Sequence, residues 1–260
     1  MKTKQILTIK FNLGPYKSFI RDLMDLAVEK KSSFVCVANV HLLIEAYKTD
    51  SVATVVNNAV IVTPDGKPIT WALRFLYGIE QDRVAGMDLL PDLLAEAEKQ
   101  KIPVAFYGGT RDMLNKTEEY IRNRYANLPV AEFYSPPFRE LTTEEENAVI
   151  KMFNESDARI IFVVLGCPKQ EKWMFAMKNK INTLMIGIGG ALPVMVGMQK
   201  RAPRWMQHSG LEWLYRLNQE PRRLFKRYAS TNFLFIYLLF KEKYFKKYSR
   251  GEPAEMNKKF

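Results

Sequence analysis

Through the first 190 residues or so, short runs of β-branched and apolar residues alternate with stretches whose apolar positions recur every three or four residues. Ile6–Phe11 predicts a strand. Tyr16–Lys31 predicts a helix with Phe19, Ile20, Leu23, Leu26 and Ala27 on one stripe. Phe34–Ala38 predicts a second strand and Val40–Tyr47 a helix. Val60–Val62 predicts a short strand that runs into Thr63-Pro64-Asp65-Gly66, a turn signal. A helix through Trp71 and Leu76 follows, then another over Met87–Lys99. Val104–Tyr107 leads into Gly108-Gly109-Thr110 and a helix to Tyr125; Val130–Tyr134 is a strand broken by Pro136-Pro137. Thr143 with Glu146 has the spacing of a capping box. Arg159–Leu165 is the most apolar strand and ends at Gly166-Cys167-Pro168, before a helix over 169–179, a strand Leu184–Gly187 and the turn Gly189-Gly190. This alternation predicts an α/β fold, a mostly parallel Rossmann-like sheet flanked by helices. Ligands of such sheets bind beyond the carboxyl ends of the strands, so the strand-ending loops hold the candidate chemistry.

The pattern changes near Gly197. The segment from Lys200 to Arg250 carries 13 Lys or Arg against three acids, Glu212, Glu220 and Glu242, and so holds ten of the chain's +11 net charges. Apolar residues interleave with the cations, and the run Phe233–Phe240 follows them. Cations beside an apolar run suit an anionic membrane surface. Nucleic acid would account for the cations and leave the apolar run unexplained, so no nucleic-acid partner is expected. A basic helix pair lying on its own domain is the plainer reading of the same charges. The expected organisation is an α/β catalytic domain over 1–196, a helical, basic, membrane-associating appendage over 197–250, and a tail over 251–260.

With 260 residues, 47% of them hydrophobic, the chain can bury one substantial core. Cys36 and Cys167 lie far apart and fit a reducing compartment. His41 and His208 form no recognised zinc spacing with them. The N-terminal apolar stretch is interrupted by Lys10 and no small-residue cleavage site follows. The longest apolar run is well short of the ~20 residues of a spanning helix. The expected location is cytoplasmic, peripheral on a membrane.

Among the strand-ending loops, Gly108 and Gly109 could bring backbone N–H groups to a phosphate, or could simply make a tight strand-to-helix turn. Gln170 and Glu171, in Gly-Cys-Pro-Lys-Gln-Glu, pair an amide with a carboxylate, a set that can read a base edge or sugar hydroxyls. Acids also favour a first helical turn for reasons unrelated to ligands. Asp65 has the position of a general base and also that of a turn residue. Arg83 and Asp88 flank Gly86 at a helix start, where a salt bridge is the simpler expectation. There is no Asp-x-Asp, GxSxG, HExxH or CxxC, so any phosphate must be met by arginines. Arg222, Arg223, Lys226 and Arg227 follow Pro221 at i,i+4 spacing, a broad cationic stripe, with Arg216 on the preceding helix.

Taken together, VANVHLLIEA around Asn39, VTPDGKPITWALR around Asp65, RVAGMDLL from Arg83, GCPKQEKWM, GIGG and RAP…GLEWLYRLNQEPRRLFKRY are similar to the WecG/TagA/CpsF family of bacterial glycosyltransferases. The resemblance implies an inverting transfer of a sugar, N-acetylmannosamine-like or its uronic acid, from a UDP donor. It implies a polyprenyl-diphosphate-linked acceptor at the inner membrane face, and neither a metal nor another cofactor. It makes Asp65 the base, places Asn39, Arg83 and Gln170 in the pocket, and gives the phosphates to the C-terminal arginines. Val37 departs from the family's frequent Thr, and Leu192-Pro193 from its frequent Phe-Asp. The competing readings are a soluble nucleotide-sugar redox or epimerase enzyme, which lacks a GxGxxG after the first strand, and a non-enzymatic binding module, which leaves Asp65, Arg83 and Gln170 without a purpose.

Overall fold

The computed structural model describes residues 1–249; the tail from 250, with the side chains at 208, 223, 226, 227 and 245–249, lies outside the described residues. In chain order the elements are β1 (Lys2–Ile6), β2 (Ile9–Leu13), α1 (Tyr16–Glu29), β3 (Ser33–Ala38), α2 (Val40–Lys48), α3 (Asp50–Asn57), β4 (Ile61–Pro64), α4 (Lys67–Tyr77), α5 (Gly86–Gln100) and β5 (Val104–Gly108). There follow α6 (Arg111–Arg124), β6 (Val130–Tyr134), α7 (Thr143–Glu155), β7 (Ile160–Val164), α8 (Lys169–Met177), β8 (Leu184–Gly187), α9 (Ala191–Met195), α10 (Arg204–His208), α11 (Glu212–Gln219) and α12 (Pro221–Ser249).

Six strands form one sheet in the order β4-β3-β8-β7-β5-β6, every neighbouring pair parallel. The expected Rossmann-like α/β fold is therefore the observed one. Period-2 alternation splits the core between two faces. Phe34, Cys36, Ala38, Tyr107, Ile161, Val163 and Met185 join one cluster with α2, α3, α7 and α8. Val35, Val37, Phe106, Phe162, Val164 and Ile186 join the other with α1, α5 and α6. Both clusters are closed, so the open rim at the strands' carboxyl ends is where the fold can receive a ligand.

Local details differ from the sequence expectations. Ile6–Phe11 is two strands of an antiparallel hairpin, pairing Ile6 with Ile9 and Lys2 with Leu13. Ile6, Ile9 and Phe11 can all be fully buried only if the chain folds back between them. Asn57 fixes that turn, accepting from the Lys10 N–H (3.0 Å) and donating to the Thr8 carbonyl (2.7 Å). The capping box uses Thr142 and Glu145, one residue earlier than expected. The run of acids offers both registers, and Arg139 selects this one through a two-pronged pair with Glu145 (2.6 and 2.7 Å).

The segment after Gly197 is fastened to the sheet domain. α12 crosses α2 and α4. Its Phe235 and Leu238 enter the same buried cluster as the α2 face of the sheet. Glu242 accepts from the Leu7 N–H at 2.9 Å, and the Lys243 ammonium donates to the Phe75 carbonyl at 2.6 Å. The opposite side of α12 is open: Phe233, Tyr237 and Tyr244 are exposed and share one stripe. Among the described residues, no helix is long and apolar enough to cross a membrane.

Candidate active site

A cleft of about 1860 Å³ opens along the carboxyl ends of the strands, roofed by the chain after Gly197. Asn39, Asp65, Arg83, Gly109, Gln170, Glu171 and Arg216 all line it. Residues spread over 178 positions of sequence thus meet because successive parallel strands end at one edge.

Asp65 is held by its backbone. Its N–H donates to the Ala38 carbonyl (3.0 Å), and the Val84 N–H donates to the Pro64 carbonyl (3.0 Å). Gly66, at φ 92°, then turns the chain into α4 without the steric cost a side chain would bring. The half-buried carboxyl has its pKa raised to about 7. Burial is the main cause; Glu212 and, more weakly, Asp88 add repulsion, while Arg83 and Arg216 pull the other way. A carboxylate poised near neutrality can take a proton from a hydroxyl and still be ionised when the substrate arrives.

Arg83 is tied to protein acids, to Glu212 at 2.8 Å and Asp88 at 2.6 Å, with Gln207 at 3.5 Å. Arg201 also reaches Asp88. The salt bridge expected of Arg83 and Asp88 is thus present and extends to the C-terminal segment. Asn39 caps α2, its Oδ1 accepting from the His41 (3.0 Å) and Leu42 (3.2 Å) N–H groups.

The two glycines divide. Gly108, at φ 106°, does not line the cleft, and a Cβ there would come within 2.5 Å of the Val164 carbonyl oxygen. The Gly109 N–H donates to that same carbonyl at 2.9 Å. Close contact of β5 with β7 is what these glycines permit, and the amide expected to meet a phosphate is already bonded. Gln170 and Glu171 are buried, Gln170 donating to Glu171 at 2.8 Å. Gln170 Oε1 and Glu171 Oε2 have no hydrogen-bond partner. Gly187 and Gly189 leave room for the amide, since a Cβ on either would come within 3.1 Å of it. Arg216 reaches the Gly190 carbonyl at 3.4 Å. Arg222, exposed in the first turn of α12, does not line the cleft. The side chains of Arg223 and Arg227 lie outside the described residues.

The sequence profile of the "Glycosyl transferase WecG/TagA/CpsF family" matches residues 4–249. The chain belongs to this family. Among its relatives, an N-acetylglucosaminyldiphosphoundecaprenol N-acetyl-beta-D-mannosaminyltransferase of Bacillus subtilis (strain 168) is 29% identical over 225 residues, 86% of each chain. The protein of the same name from Bacillus spizizenii (strain ATCC 23059 / NRRL B-14472 / W23) is 28% identical over the same length and the same shares.

In this WecG/TagA/CpsF glycosyltransferase, Glu212, Gln207 and Trp71 also line the cleft, although no motif in the sequence marks them as site residues. Glu212 both anchors Arg83 and repels the Asp65 carboxylate. Its one sequence hint is an acid at the first turn of a helix within a basic segment. Trp71 supports the roof, lying where a Cβ on Gly210 would be only 2.5 Å from its ring.

Glu171 allows a direct test. Burial raises its pKa from 4.5 to about 7, outweighing the lowering by Gln170. The folded state therefore keeps this proton better than the unfolded one. The penalty for ionising it is absent below about pH 4.5 and grows until about pH 7. Glu171→Gln is expected to remove that slope, gaining stability over the parent by an amount of order 3 kcal/mol between pH 5 and 8. Parallel curves of denaturation midpoint against pH would show that Glu171 ionises freely.

Proposed function

We propose that this protein is an inverting glycosyltransferase. It moves an N-acetylmannosamine-like sugar, or its uronic acid, from a UDP donor to a sugar carried on polyprenyl diphosphate at the inner face of the cytoplasmic membrane. The observation that carries the reading is Asp65, a carboxyl held near neutrality at a strand end, in a cleft that it shares with Arg216. The names of the two Bacillus relatives support the choice of sugar and of a lipid-linked acceptor.

On this reading Asp65 takes the acceptor hydroxyl's proton as its oxygen bonds to the sugar's anomeric carbon. The bond from that carbon to UDP breaks in the same displacement, which inverts the centre. General-base help of this kind contributes about 10²–10⁴-fold. Negative charge gathers on the departing diphosphate, where Arg216 supplies a cation in place of a metal. Glu171 and Gln170 offer unpaired acceptors to hydroxyls or amide N–H groups of the ligands.

The experiment is a panel of UDP-sugars with a short-chain polyprenyl-diphosphate acceptor and product analysis. Turnover of a UDP-hexosamine that persists in EDTA is expected, and UDP but not NAD should raise the melting temperature. Activity lost to EDTA and restored by Mg²⁺ or Mn²⁺ would defeat the arginine account; stabilisation by NAD alone would favour the redox alternative.

The stripe of Phe233, Tyr237 and Tyr244 beside the exposed Lys241 is the surface we assign to the bilayer. Each Lys or Arg near an anionic surface contributes roughly 1 kcal/mol, and salt screens it. Co-sedimentation with anionic vesicles is expected to weaken at high salt and to leave an aromatic-dependent remainder. Equal binding to neutral vesicles would refute the electrostatic part.

A further inference from the structure

The cleft does not end at its charged residues. α4 leaves Asp65 and carries Trp71 and Phe75 on one face at i,i+4 spacing. α12 carries Ile236 and Phe240 at the same spacing, with Leu239 beside them. All five line the same cleft as Asp65. The Phe75 and Phe240 rings meet edge to face with centroids 5.4 Å apart, and the Lys243 bond to the Phe75 carbonyl holds the two helices together there. Between that contact and Asp65 the apolar walls stay open: Trp71 is 50% exposed, Ile236 54% and Phe240 48%.

We propose that this apolar arm, between α4 and α12, is a binding groove for the first isoprene units of the acceptor's polyprenyl chain. The assignment rests on the transferase reading above and adds a site to it. The chemistry matches in order. Lys67 stands in the first turn of α4, next to Asp65, and Arg216 acts on the Asp65 carboxyl through space. Cations for a diphosphate thus lie at the reacting end, and hydrocarbon surface follows along α4. From Lys67 to Phe75 the helix advances about 12 Å, room for about two extended isoprene units. On α12, Ile236 and Leu239 lie between the buried Phe235 side and the outward stripe of Phe233, Tyr237 and Tyr244, and Phe240 stands at the edge of that stripe, stacked on Tyr244 with centroids 6.3 Å apart. A chain leaving the groove therefore passes straight to the surface assigned to the bilayer. An amphipathic cleft with a cationic inner end and a greasy outer end fits an amphipathic ligand better than it fits a second, uniformly apolar protein surface.

The test uses isoprenyl diphosphates of one, two and three units, without sugar and without vesicles, with binding read by tryptophan fluorescence. The dissociation constant is expected to fall about tenfold from one unit to two and to level off by three, as the groove fills. Ile236→Ser and Phe240→Ser, both at half-exposed positions, should flatten this series while UDP still raises the melting temperature of each variant. A constant independent of chain length, or a dependence that survives both substitutions, overturns the groove. So does a dependence seen only when vesicles are added, which would give these side chains to the bilayer. A flat series in a protein that sediments as a dimer would make the arm an interface between copies and also end the proposal. Because the ligands carry no sugar, a chain-length dependence in a protein that transfers no sugar would support the groove and count against the transferase chemistry alone.

Discussion

Asp65→Asn is expected to lower kcat by about 10²–10⁴-fold while UDP binding and the fold persist. The amide matches the carboxyl in shape but cannot accept the acceptor's proton. The fold should not suffer, since burial already disfavours the charged carboxylate, and above pH 7 the neutral amide removes that penalty. The pH profile makes the test specific. With a pKa of about 7, the unaltered enzyme should lose activity as pH falls through neutrality, because the base becomes protonated. Glu212→Gln removes a repulsion and should move that limb to lower pH; Arg216→Ala removes an attraction and should move it higher. The residual activity of Asp65→Asn should show no such limb. Near-normal turnover in that variant, or an acid limb that ignores both Glu212 and Arg216, would assign the base elsewhere.

A chain ended at Met195 is expected to lose both activity and much of its stability. The strand–helix alternation taken alone points to a self-sufficient domain before Gly197. The tertiary contacts argue otherwise. Leu224, Phe235 and Leu238 are all at most 5% exposed, and burying side chains of this size contributes roughly 1.5–3 kcal/mol each. Their loss is a sizeable part of the ~5–15 kcal/mol that holds a domain together. The same cut removes Glu212, which anchors Arg83, and Arg216, which acts on the Asp65 carboxyl through space. Turnover of a water-soluble short-chain acceptor and the denaturation midpoint are the measurements. Arg216→Ala in the full chain separates the two effects, with the fold kept and turnover reduced by about 10²-fold or more, the scale of a lost charge-stabilising donor. A truncated protein that melts and turns over like the full chain would reduce the C-terminal segment to an anchor.

Much of this protein was legible in the residues themselves. Short continuous apolar runs specify β3, β5, β7 and β8, and three-to-four-residue spacing their helices, because a strand buried on both faces and an amphipathic helix leave different apolar patterns. The parallel sheet follows from their alternation, and the rim of candidate loops follows from the sheet. Asp65, Asn39, Gln170 and Glu171 could be named because they sit where strands end. The charge imbalance after Lys200 marked the segment that would meet phosphates or lipid. Tertiary structure decided what each of these residues is free to do. Only long-range contacts could show that Arg83 is already paired with Glu212, 129 positions away, or that the Gly109 amide is taken by Val164. The raised pKa of Asp65 likewise depends on burial and on four charged neighbours from distant segments. The apolar arm between α4 and α12 exists only because α12 crosses the domain, and no periodicity in either helix records the other. Local spacing carries backbone preference and which face is apolar; pairing, burial and electrostatic environment are properties of neighbours, and neighbours are chosen when the chain closes on itself.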